Sequence, residues 1–75
     1  MNNNTNILNI RDVYIDIFAY CSICNNIISR DYAYKADVRQ SNNIIYVSYY
    51  CHNCANSKQQ VESFIKGKRK VLKRV

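Results

Sequence analysis

Two stretches of alternating apolar residues, a capped helical stripe near the C-terminus and four cysteines in two Cys-x-x-Cys pairs predict a small α+β domain stapled by one metal ion. The expected order is strand, first cysteine knuckle, β-hairpin, then a second knuckle at the start of a C-terminal helix. Composition divides the chain into a flexible start over 1–9, a metal-binding domain over 10–66 and a basic extension over 67–75. The helix either continues into that extension or stops at Gly67, because glycine costs about 1 kcal/mol in mid-helix relative to Ala and serves equally well as a C-terminal cap.

Asn2, Asn3, Asn4, Thr5 and Asn6 form a polar, low-complexity start that cannot bury a core. Over 11–20, Val13, Ile15, Ile17 and Ala19 alternate with Tyr14, Asp16, Phe18 and Tyr20, the period of a strand with one buried face. Residues 32–40 alternate again, Ser41, Asn42 and Asn43 supply turn chemistry, and 44–50 is rich in β-branched and aromatic side chains. A two-residue turn at Asn42-Asn43 sets Val38 opposite Val47, Ala36 opposite Tyr49 and Tyr34 opposite Cys51 on a core face. The same register sets Arg39 opposite Tyr46, Asp37 opposite Ser48 and Lys35 opposite Tyr50 on a solvated face. Further on, Ser57-Lys58-Gln59-Gln60 has the pattern of a capping box, so a helix is expected from about residue 58. Val61, Phe64, Ile65, Leu72 and Val75 then lie on roughly one stripe, broken by Lys68.

The pairs Cys21-Ser22-Ile23-Cys24 and Cys51-His52-Asn53-Cys54 contain every cysteine of the chain. A two-residue spacer lets a tight turn aim two sulfurs at one ion, and two such turns complete a tetrahedral shell, so Cys21, Cys24, Cys51 and Cys54 are the expected ligands of one structural Zn²⁺. Asn25 follows the first pair where such turns often carry glycine, and Asn tolerates the left-handed conformation better than most residues. His52 sits inside the second pair, but four thiolates already fill the shell, which leaves it as an exposed turn residue. The competing readings are two disulfides, rubredoxin-type iron and a redox-active pair. Disulfides suit an oxidising compartment, whereas this start has neither a basic n-region nor an apolar h-region, so an intracellular location, nucleus or cytoplasm, is expected. A chain of 75 residues has too small a core to be held by burial alone. Structural zinc contributes about 10–16 kcal/mol in comparable modules, so the metal-free chain should be largely disordered.

This arrangement, with Cys21 and Cys24 after a strand and Cys51 and Cys54 at the mouth of a helix, resembles treble-clef and zinc-ribbon zinc fingers over residues 12–66. The treble clef is favoured, because Ala55 is followed by a helix rather than by glycine and a strand. The resemblance implies that the four cysteines ligate zinc and leaves the function open. Asn, Ile, Lys and Tyr account for 11, 10, 6 and 7 residues, the residue usage of an A/T-rich genome, and in this the chain also looks like the short zinc-finger proteins of large DNA viruses.

The formal charge of +6 is carried entirely by 58–75, where Lys58, Lys66, Lys68, Arg69, Lys70, Lys73 and Arg74 face Glu62 alone. Clustered Lys and Arg with so few acidic neighbours suit phosphate contacts, so Lys66, Lys68, Arg69, Lys70, Lys73 and Arg74 are candidate nucleic-acid-binding residues. On the hairpin, Lys35, Arg39, Tyr46 and Tyr50 form a second candidate, since aromatics interleaved with cations can stack on unpaired bases. DNA or RNA is therefore the expected partner of an accessory in viral transcription or genome handling. The alternative is a zinc-stapled adaptor that docks on a protein partner through its C-terminal amphipathic helix. No catalytic constellation or phosphate loop is present, and a closed shell leaves no position for water, so neither enzymatic activity nor a small-molecule substrate is expected. The apolar stretch 15–28 is too short, and too interrupted by Asp16, Asn25 and Asn26, to cross a membrane.

Overall fold

The computed structural model describes residues 6–74, with side chains through residue 67. Its elements are β1 (Asn6–Ile15), β2 (Ala19–Tyr20), β3 (Ile27–Ile28), β4 (Asp31–Arg39), β5 (Ile45–Cys51) and α1 (Lys58–Arg74). β1, β4 and β5 form an antiparallel sheet in the order β1-β4-β5, and β2 with β3 makes a separate two-stranded ribbon around the first knuckle.

The first strand starts at Asn6, so residues 6–9 of the expected flexible start are strand, and 1–5 lie outside the described residues. Nearly all of β1 pairs with β4, from Asn6 opposite Arg39 to Ile15 opposite Asp31. Leu8 is the extra residue at a register shift between Ile7 and Asn9, a bulge that keeps Ile7 and Ile10 on the same face despite an odd spacing. The strand expected over 11–20 is interrupted. Chain direction changes at Asp16 and Ile17, and Ile17 is 76% exposed while Ile15 and Ala19 on either side are buried. The Ile17 carbonyl accepts from the Ser29 hydroxyl (2.6 Å) and the Ile15 carbonyl from the Arg30 N–H (2.7 Å), which ties the base of the ribbon to the end of β1.

The hairpin is displaced by one residue from the expected register. Val38 pairs with Tyr46, Asp37 with Val47, Ala36 with Ser48, Lys35 with Tyr49 and Tyr34 with Tyr50. The loop has three residues rather than two. Gln40 N–H donates to the Ile44 carbonyl (3.0 Å), Asn43 N–H donates to the Gln40 carbonyl (2.9 Å), and Asn43 has φ 68°. This is a β-turn closed by a left-handed third residue, and Asn43 takes that conformation where Asn42 was expected to share a two-residue turn. A one-residue slip moves every β5 side chain to the other face. Tyr50 and Ser48 therefore join Tyr34 and Ala36, and Tyr49 and Cys51 join Lys35 and Ala33.

α1 begins where the cap predicts it. Gln60 N–H donates to Ser57 Oγ (3.2 Å), and the Gln60 side chain reaches past Ser57 to accept from the Asn56 N–H (2.6 Å). The helix runs through Gly67 to Arg74, with an i,i+4 contact of 2.9 Å between Glu62 and Lys66 on its exposed side.

Both faces of the sheet are covered. Beneath α1, Tyr34, Ala36, Val38, Tyr50, Ala55 and the fully buried Val61 form one core, joined by Ile10, Phe64 and Ile65. On the opposite face Ile15, Ala19, Cys21, Ile28 and Ala33 form a second, joined by Val13, Tyr49, Cys51 and Cys54. Among the described residues no helix is long and apolar enough to cross a membrane.

Candidate metal centre

Each knuckle is shaped by its own main chain. In the first, Asn25 N–H donates to the Cys21 carbonyl (2.9 Å), Cys21 N–H donates to the Asn26 carbonyl (3.0 Å), and Asn25 has φ 64°, the left-handed conformation expected of it. In the second, the N–H groups of Cys54 and Ala55 donate to the Cys51 carbonyl (3.1 and 3.0 Å), a single turn that needs no left-handed residue before α1 begins. Ser22 N–H donates to the Tyr49 carbonyl (2.8 Å) and fixes the first knuckle against β5, which itself runs into Cys51. Two turns 26 residues apart in sequence are thereby brought together.

The four sulfurs of Cys21, Cys24, Cys51 and Cys54 lie within 4.8 Å of one another, with no disulfide among them, and can hold a metal ion. Cys24 and Cys51 bring their sulfurs to 3.8 Å across the two knuckles. Cys21 is 1% exposed at the bottom of the site, whereas Cys24 stands on the open side.

The environments of the thiols differ. Burial pushes the Cys21 thiol up, but main-chain N–H groups around it outweigh burial, and its pKa falls to about 6. Two of those donors are Ile23 at 3.4 Å and Cys51 at 3.5 Å. Cys54 is driven the other way, to about 12, first by sharing a proton with Cys51 and then by burial and by the Cys24 and Cys21 sulfurs. Cys51 is also raised, chiefly by burial. Four sulfurs this close cannot all carry negative charge without a cation between them, and the conflict is seen in the opposite directions in which Cys21 and the Cys51–Cys54 pair are driven.

His52 takes no part in the cluster. Its Nε2 lies 3.0 Å from Asp12 Oδ1 and its ring stacks on Tyr34 at 4.9 Å between centroids. The Tyr34 hydroxyl donates to the Asn56 carbonyl (3.2 Å). Asp12 and Tyr34 are opposite each other in the β1–β4 ladder, so together they clamp the second knuckle from the sheet. Nothing in the sequence pointed to this group, because Asp12 and His52 are 40 residues apart and meet only through strand pairing.

The hairpin candidate for base stacking is taken apart by the observed register. Lys35 and Arg39 share a face with Ile45, Val47 and Tyr49, while Tyr46 and Tyr50 lie on the helix face. Tyr50 is 5% exposed and stacks on Phe64 at 6.1 Å. The apolar stripe offered for docking is likewise in use over its described part, since Val61, Phe64 and Ile65 pack into the core beneath α1. Lys66 is exposed beside Glu62. Lys68, Arg69, Lys70, Lys73 and Arg74 fall on α1, their side chains outside the described residues, as are those of Leu72 and Val75. Comparison with protein-family models, with curated proteins and with solved structures found no match to this chain.

Proposed function

We propose that the protein is a nucleic-acid-binding module whose fold is stapled by one structural zinc ion, an accessory in transcription or genome handling. Zinc fits the four sulfurs by geometry and by chemistry. Tetrahedral Zn–S bonds of about 2.3 Å place sulfurs about 3.8 Å apart, and Cys24 and Cys51 stand at 3.8 Å with the other pairs inside 4.8 Å. An all-sulfur tetrahedral set selects zinc over the hard cations, and it leaves no coordination position for water, so the ion holds the fold and does no chemistry. A second cysteine pair at the mouth of α1 favours the treble-clef arrangement over the ribbon.

The observation that carries the nucleic-acid reading is the segregation of charge. The whole +6 resides on 58–75, and four thiolates around Zn²⁺ leave the rest of the molecule slightly acidic. Because α1 continues past Gly67, Lys66, Arg69, Lys70 and Lys73 recur at the three- and four-residue spacing of one helix face. A basic helix of this kind reads phosphates without regard to sequence.

Fluorescence anisotropy of zinc-loaded protein on short duplex DNA and single-stranded RNA, across a salt series, tests this. The wild type is expected to bind at low salt. Changing Lys66, Lys68, Arg69 and Lys70 to Gln should weaken binding on all sequences alike and flatten the slope of log K against log salt by up to about 3–4 units, at about 0.9 per phosphate contact on duplex DNA. Absence of binding by the wild type at low salt, or unchanged binding by the quadruple variant, overturns the assignment.

A further inference from the structure

We propose that β5 is a dimerisation edge, along which a second copy of this chain adds its own β5 in antiparallel register centred on Tyr46. The strand lies at the outside of the sheet order β1-β4-β5. Its outer side is covered at its C-terminal end, where the Tyr49 carbonyl accepts from Ser22 N–H, Cys21 bridges to Tyr49 and Cys51 N–H donates to Cys21 Sγ (3.5 Å). Main-chain groups alternate along a strand, so Val47 and Ile45, two and four residues before Tyr49, direct their N–H and C=O groups to the same open side. Among the described residues no main-chain group pairs with them there. Unpaired N–H and C=O groups in a row are a template that another strand can pair with group by group.

The side chains point to a second copy as that strand. Ile44, Ile45, Tyr46 and Val47 are each about half exposed, at 50%, 52%, 49% and 49%. From Gln40 to Cys51 the chain has no charged residue and no proline, and so lacks the Lys and Pro that ordinarily blunt an edge. In a chain of net charge +6, this is a segment through which two copies can meet without opposing like charges. The pattern is also self-complementary. A two-fold axis at Tyr46 sets Ile45 opposite the second copy's Val47 and Val47 opposite its Ile45, and these are the residues whose main-chain groups are open. Tyr46 then faces the second copy's Tyr46. Ile–Val and Tyr–Tyr are favourable cross-strand pairs, and Tyr49 keeps its contact with the first knuckle. The resulting sheet has six strands and an isologous interface, and its small size makes the dimer weak and concentration-dependent.

Sedimentation equilibrium of the metal-loaded chain from micromolar to millimolar concentration tests the inference. The mass should rise from 8.8 kDa toward twice that value, at high salt as at low salt, since no charge lies in the interface. Tyr46→Lys should stay monomeric, because it sets Lys opposite Lys, and an equimolar mixture of Tyr46→Lys with Tyr46→Glu should dimerise again. In the wild type, amide exchange of Ile45 and Val47 should slow as concentration rises, a measurement that does not depend on how any variant folds. A wild type that remains monomeric at millimolar concentration, a Tyr46→Lys variant that dimerises as the wild type does, or Ile45 and Val47 amides indifferent to concentration would each overturn it.

Discussion

The two faces of the central sheet are closed by different means. Beneath α1 the core is held by removal of side-chain surface from water, with Val61 fully buried and Tyr50 stacked on Phe64. On the opposite face the buried side chains are Ile15, Ala19, Ile28, Ala33 and Cys21, with no tyrosine fully buried among them, and the layer above the sheet is two knuckles and a short two-stranded ribbon in place of a helix. That set is too small to order two turns by burial. An ion held by the four sulfurs would supply the missing free energy. One sheet thus carries an apolar core on one side and an electrostatic one on the other.

The most severe way to break this contrast is to remove the electrostatic core. Cys21→Ser, or chelation of the metal, should unfold most of the chain, since about 10–16 kcal/mol of metal binding exceeds the few kcal/mol that so small a core leaves. Amide exchange resolves the order of loss. Ser22, Asn25 and Cys54 should lose protection before Tyr34 and Ala36, whereas simultaneous loss would mean that the two faces are a single cooperative unit.

Acid attacks the same face. In the folded cluster Cys54 and Cys51 are raised, so an ion entering between the sulfurs must displace their protons. Cys21, lowered to about 6, is already a thiolate at neutral pH and gives up none. The lowered thiol favours the fold above its unfolded value and loses that advantage as pH falls through about 6. Metal affinity should therefore decline with falling pH and steepen below about 6, where Cys21 adds its own proton to those released. Calorimetric titration with Zn²⁺ in buffers of different ionisation enthalpy counts these protons. A release that does not change through pH 6 would show that Cys21 is not the anionic seat of the site.

The apolar face should fail more gently. Val61→Ala removes two methylene equivalents at a position with no exposure and should cost about 2 kcal/mol, transfer and cavity terms together. Zinc stoichiometry should stay at one per chain in the folded protein. A variant that loses zinc in proportion to stability would show that the two faces are coupled through Ala55 and the start of α1.

The smallest effect sharpens the comparison from outside both cores. Gly67 lies in mid-helix, and an added methyl group would meet nothing within 4 Å. Gly67→Ala should stabilise α1 by about 0.5–1 kcal/mol, read as a rise in denaturation midpoint with no change in zinc affinity. A loss of stability would mean that the helix needs its glycine at this position.

Part of this architecture is written in local patterns. Two-residue spacers single out Cys21, Cys24, Cys51 and Cys54 because a tight turn is a property of four consecutive residues. The start of α1 is legible for the same reason, since Ser57 and Gln60 satisfy main-chain groups within one turn of themselves. Asn25 could be read as left-handed from its place after a knuckle. The hairpin was visible as two strands and a turn, yet its register was not, because Asn42 and Asn43 are equally good turn residues and the choice between a two- and a three-residue loop inverts every side chain of β5.

Four cysteines that close one site, a helix beginning at Ser57 and a charge confined to the C-terminal quarter were determined by the sequence alone, each through chemistry that acts over a few residues. Which face of the sheet received the helix and which the knuckles was decided only in the tertiary structure. Alternation divides a strand into two sets of side chains but says which set is inside only when one face meets water. In β4 both faces are covered, so Ala33 and Tyr34 are buried side by side. The same ambiguity let Lys35, Arg39, Tyr46 and Tyr50 read as one surface, until long-range pairing of β1 with β4 and the three-residue turn placed the cations on one side and the tyrosines on the other.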